Sequence, residues 1–138
     1  MALMMPKRVK YRKSQRGSRA GLAVRGCDIK FGEFGLKALD NGWLKNNQIE
    51  AMRVVLARRL HGGGKMWFRV FPDKSVTKKP AETRQGKGKG DPDHWVAVVK
   101  RGKILVELGG APEYIAQEAF RMCAYKVPFR IKFIKRAH

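Results

Sequence analysis

The chain has 138 residues, room for one domain with a modest core, and its formal net charge is +20, from 31 Lys and Arg against 11 Asp and Glu. With 43% apolar residues it has the composition of a folding domain, so a charge excess of this size is a partner signal that points to a polyanion. No stretch approaches the roughly 18 apolar residues of a membrane span, and the five apolar residues ahead of Pro6 are too few for a signal-peptide core.

The N-terminal segment, residues 1–25, carries eight cations (Lys7, Arg8, Lys10, Arg12, Lys13, Arg16, Arg19 and Arg25) and no acid. Gly17 and Gly21 interrupt it and no helical apolar stripe runs through it, so it reads as an extended arm and not as a membrane-surface helix. Residues 29–39 then place Phe31, Phe34 and Leu36 among Gly32 and Gly35, a bent strand or loop. Asn47, with Glu50 three residues on, is expected to cap a first helix. Ile49, Met52, Leu56 and Leu60 give that helix one apolar face with Val55 beside it, and leave Arg53, Arg58 and Arg59 largely off the stripe. His61 and the three glycines after it end the helix.

Residues 65–71 are expected to form a strand stopped by Pro72 and Asp73. Residues 73–92 read as a long basic loop, the kind of insertion that carries function in so small a domain. Strands are expected over 95–99 and 104–108, with Lys100-Arg101-Gly102-Lys103 as a hairpin turn between them. Pro112 opens a second helix with Ile115, Ala119, Met122 and Cys123 on its apolar face. Val127 and Pro128 break it, and Phe129, Ile131 and Phe133 alternate with Arg130, Lys132 and Ile134 in a last strand with a mainly basic outer face. The expected fold is one α+β domain over 1–138, two helices on a mostly antiparallel sheet, with the arm (1–25) and the loop (73–92) as its basic extensions.

The charge is unevenly spread. Residues 1–25 carry +8, residues 78–90 carry +4 and residues 126–136 carry +5, which leaves +3 for the rest. A solubility device would not be single-signed three times over, so the pattern is read as nucleic-acid contact. In the loop, Lys78, Lys79, Arg84, Lys87 and Lys89 are the candidate contacts. Glycine alternates with lysine over 86–90, which suits close approach to a phosphate backbone. A nucleotide-binding P-loop would need Ser or Thr after its lysine, and here glycine follows both Lys87 and Lys89.

Nothing asks for catalysis. His61, His94 and His138 are scattered, and Cys27 and Cys123 make no C-x-x-C pair, so neither a metal site nor a cofactor is expected, and the thiols are expected to be reduced. Asp91, Asp93 and His94 imitate an acid/base set but read better as local charge balance or turn residues. A DNA-binding architectural module and an RNA-modifying enzyme are the competing classes. The first rests on charge alone, and the second lacks a catalytic motif.

Several segments, in order along nearly the whole chain, resemble one family: Pro6-Lys-Arg-Val-Lys-Tyr-Arg-Lys13, Phe31-Gly-Glu-Phe-Gly-Leu36, Gln48-Ile-Glu-Ala51, Trp67-Phe-Arg-Val-Phe-Pro-Asp73, Lys78-Lys-Pro-Ala-Glu-Thr-Arg84, Gly86-Lys-Gly-Lys-Gly90 and Glu118-Ala-Phe120. The chain is similar to bacterial-type large-subunit ribosomal protein sixteen, whose archaeal and eukaryotic counterpart is called ten-e. The resemblance implies a hammerhead-like α+β fold and a non-enzymatic protein near the central protuberance of the large subunit. It implies rRNA contact by the arm and rRNA or tRNA contact by the loop, with A-site tRNA as partner and the P site as a second candidate. Neighbouring large-subunit proteins would be further partners. The implied location is a cytoplasmic ribosome, an organelle ribosome fitting the same residues. Arg84 matches a position hydroxylated in some members, although Gln85 stands where the family usually has methionine.

Overall fold

Alternation of apolar residues organises the first sheet. In β1 (Phe34–Ala38), Phe34, Leu36 and Ala38 are buried on one face, and the strand pairs antiparallel with β6 (Ile104–Gly109) on one side and β7 (Ile131–Lys135) on the other. β3 (Lys65–Phe68) adds to the far side of β6, giving the order β3-β6-β1-β7. A second sheet, in the order β2-β5-β4, is built from β2 (Gly42–Lys45), β4 (Lys74–Lys78) and β5 (Asp91–Val99), again antiparallel. The computed structural model describes residues 5–7, 21, 23, 26–78 and 91–136, with backbone alone at 77–78 and 91–93.

Helix α1 (Asn46–Leu60) buries the stripe Ile49, Met52, Leu56 and Leu60, and α2 (Glu113–Cys123) buries Ala116, Ala119, Phe120 and Cys123. The helices touch where the Cys123 thiol meets the Met52 carbonyl, at 4.0 Å. Phe120 packs on Phe133 (ring centroids 5.8 Å), and Phe133 stacks on Phe34 (5.6 Å), which fastens α2 to the four-stranded sheet. Each fully buried Leu, Ile or Phe here contributes about 1.5–3 kcal/mol. Together these contacts make the expected α+β domain, with helices packed on antiparallel sheets.

Several details differ from the expectations above. Helix α1 begins at Asn46, not after an Asn47 cap: the Lys45 N–H donates to Gln48 Oε1 at 2.8 Å, so Gln48 does the work expected of Glu50. Glu50 instead pairs with Arg53 at 2.6 Å. Residues 100–103 do form a tight turn, with Lys103 N–H donating to Lys100 O at 3.1 Å and Gly102 at φ 97°, but no hairpin. β5 and β6 pass into different sheets, because β5 finds its partners in β2 and β4. β3 stops at Phe68, three residues early, and β2 is a strand that local pattern does not announce. The span 73–92 is shorter as a loop than expected: residues 74–78 and 91–92 are paired strand, and 79–90 connect them. On α2 the buried face includes Ala116 and Phe120, and Met122 is only half-buried.

Candidate nucleic-acid interface

The root of the arm is built into the sheet. Ile104 N–H donates to Gly26 O at 2.7 Å, and Ala23 N–H donates to Arg101 O at 3.0 Å. Beyond it, residues 30–32 wrap around Glu107, a fully buried acid in the centre of β6. Glu107 Oε1 accepts the N–H groups of Lys30 (2.9 Å), Phe31 (2.8 Å) and Gly32 (3.0 Å), and Oε2 takes the Arg69 guanidinium. Burial by itself pushes this carboxyl up. The Gly32 N–H, the Arg69 guanidinium and the N–H groups of Phe31 and Lys30 outweigh it, and the group sits below the usual carboxylate range. Gly32 is required by this wrap, since a Cβ there would lie 2.4 Å from Leu108 O. The only trace of the clamp in the sequence is a single acid inside an apolar strand, which by itself names no partner.

Of the arm residues expected to bind RNA, Lys7 is described and exposed. Arg8, Lys10, Arg12, Lys13, Arg16, Arg19 and Arg25 lie outside the described residues, as do Lys79, Arg84, Lys87 and Lys89 of the loop. Lys78 ends β4 directly opposite Asp91, the first residue of β5. The segment 79–90 therefore leaves and returns at adjacent points of the three-stranded sheet. Asp91 and His94 stand on a strand and not in a turn.

The third cationic segment separates by strand parity. Lys135 shares the helix-side face with Phe133 and pairs with Glu113 of α2 at 2.9 Å. Arg130, just ahead of β7, donates its backbone N–H and Nε to Asp40 Oδ2 (3.0 Å each) and its Nη2 to Oδ1 (2.8 Å). The hydrogen bonds from Arg130 hold the Asp40 carboxyl at about 2. Lys132 points to the other face, directly across from Lys37 of β1. Two like charges opposed across a ladder destabilise the free sheet, so this face is suited to an anion. Lys37 stands outside the three cationic segments of the sequence, because only strand pairing brings it beside Lys132. On α1, Arg53 and Arg59 are engaged with Glu50 and Glu118, and Arg58 is exposed. Among the described residues no group of His, Cys, Asp or Glu could hold a metal ion, and no helix is long and apolar enough to cross a membrane.

Fold and charge together define a class: a small, strongly basic α+β domain whose cations concentrate in residues 1–25, residues 78–90 and the last strand. A family model described as Ribosomal protein L16p/L10e matches residues 6–134. The large ribosomal subunit protein uL16 of Methylacidiphilum infernorum (isolate V4) is 56% identical, over 96% of this chain and 93% of that protein. The chain belongs to the L16p/L10e family of ribosomal proteins and is a structural constituent of the large ribosomal subunit. This supports the resemblance read from the sequence.

Proposed function

We propose that the chain binds large-subunit rRNA through the arm (1–25) and through the sheet face bearing Lys37 and Lys132. In this reading the loop at 79–90 reaches tRNA at the A site, with the P site as a second contact. The observation that supports it best is the β4–β5 hairpin. Twelve residues that leave and return at one point can extend up to about 20 Å, six out and six back at roughly 3.3 Å each. They carry Lys79, Arg84, Lys87 and Lys89 against one acid, Glu82. A cationic connection between two paired strands suits contact with a phosphate backbone.

Ribosomes carrying Lys87→Gln together with Lys89→Gln test the loop assignment. A-site tRNA should bind more weakly while the amount of assembled large subunit is unchanged. Equal A-site tRNA affinity would contradict the loop contact. A deletion of residues 84–90 should likewise leave the thermal unfolding midpoint of the free protein in place, since the segment lies beyond the paired strands.

A further inference from the structure

On the sheet face away from the helices lies an open groove of about 430 Å³, within the roughly 300–1,000 Å³ range of small-ligand sites. Its walls are Phe31, Trp67, Lys65, Arg136 and Glu33, and glycines from the turn after α1, the end of β6 and the arm root complete it. The floor is backbone. A Cβ at Gly64 would lie 3.0 Å from Gly109 O, and one at Gly109 would lie 3.1 Å from the Trp67 ring. Glycine at these two positions leaves room for the Gly109 carbonyl and the Trp67 ring, while aromatic and cationic groups line the sides of the groove.

Phe31 is the unusual member. It is 57% exposed, yet its position is fixed. Its own N–H and those of its two neighbours are held by the buried Glu107 carboxylate, its ring stacks on Trp67 (centroids 6.2 Å) and the Arg69 guanidinium sits 5.2 Å from its centroid. A ring serving only the core would be turned inward. This one is held at the solvent edge by a clamp that costs a buried charge to build.

We infer that the groove takes a single unstacked nucleotide of the large-subunit rRNA, its base against Phe31 and its phosphate between Lys65 and Arg136. Unpaired RNA bases are recognised by stacking on aromatic side chains, and the flanking cations meet the backbone. Glu33, an acceptor on the same wall, favours a base edge that offers N–H donors. The inference rests on the rRNA binding proposed above and adds to it a site outside the arm and the loop.

The test uses the full chain and purified large-subunit rRNA. Phe31→Ala should weaken binding roughly five- to 150-fold, the loss of one base stack, while Phe31→Trp keeps affinity near wild type. Lys65→Gln should lower the magnitude of the salt slope by roughly 0.7–0.9, and Phe31→Ala should leave that slope alone. Ultraviolet cross-linking of the wild-type complex should join RNA to the peptide carrying Phe31 or Trp67. Should Phe31→Ala lower the unfolding midpoint, Phe31→Leu carries the test, since it keeps apolar bulk without an aromatic face. Wild-type affinity in Phe31→Leu overturns the groove assignment alone, including the case in which the groove serves a protein neighbour. A wild-type chain that binds no rRNA overturns both this inference and the function it rests on.

Discussion

Arg69 and Glu107, 38 residues apart in the chain, form an ion pair whose acid is fully buried and whose guanidinium is partly exposed. The other oxygen of the same carboxylate holds three consecutive N–H groups of residues 30–32. One acid in the middle of a core strand therefore fixes the path of residues 30–32. A carboxylate so enclosed persists only because both of its oxygens have donors.

Glu107→Ala should destabilise the chain by about 3 kcal/mol, because it leaves a partly buried guanidinium and three backbone donors without their acceptor at once. Glu107→Gln retains an acceptor oxygen and should cost less. Urea unfolding monitored at the tryptophans measures both. A loss below about 1 kcal/mol for the alanine variant would show that the clamp is not part of the fold's support.

Acid should unfold the chain partly through the same group. Glu107 lies below its ordinary value of 4.5 in the folded state and Asp40 is lowered from 3.8 to about 2. Their stabilisation is present above the ordinary values and is lost as pH falls through the folded ones. The midpoint should therefore decline between pH 4.5 and 2. Asp40→Asn should flatten the part below 3.8, and Glu107→Gln should remove a share that begins near 4.5. A pH profile identical in all three proteins would contradict this.

Lys132→Glu separates stability from binding. It turns the opposed Lys37–Lys132 pair into an attractive one, so the unfolding midpoint of the free protein should equal or exceed that of the wild type. Affinity for large-subunit rRNA should fall, and the magnitude of the salt slope should shrink by about 0.7–0.9 for each phosphate no longer neutralised. Unchanged rRNA affinity would remove this face from the interface.

The two thiols should differ. Cys123 is fully buried, and desolvation pushes its thiol up to about 12, whereas Cys27 is only half-buried in the arm root. At about pH 8 a water-soluble thiol reagent should modify Cys27 in the native protein and reach Cys123 only in denaturant. Mass spectrometry of the labelled peptides reads this out. Native labelling of Cys123 would mean that the α1–α2 contact opens.

The sequence was most legible where pattern is local. The stripe from Ile49 to Leu60 and the alternation from Phe129 to Phe133 placed α1 and β7, and motif order along the chain placed the family. Long-range pairing was not legible. Lys100-Arg101-Gly102-Lys103 looks like a hairpin turn, and nothing local says that the strands on either side belong to different sheets. β2 and β4 are four and five residues long and gain their order from β5, so their own propensity was a weak signal. The opposition of Lys37 and Lys132, and the clamp of Glu107 on residues 30–32, exist only after folding. The cationic segments were visible as charge. Which of their members are neutralised by neighbours, as Arg130 is by Asp40 and Lys135 by Glu113, required the structure.

Incorporation of this chain into the large subunit through rRNA can be measured by gradient sedimentation of a cell lysate at moderate salt, with the chain quantified by mass spectrometry in each fraction. The chain should co-sediment with the large subunit at a constant ratio to that subunit's rRNA. Recovery mainly at the top of the gradient, or with the small subunit, would contradict it.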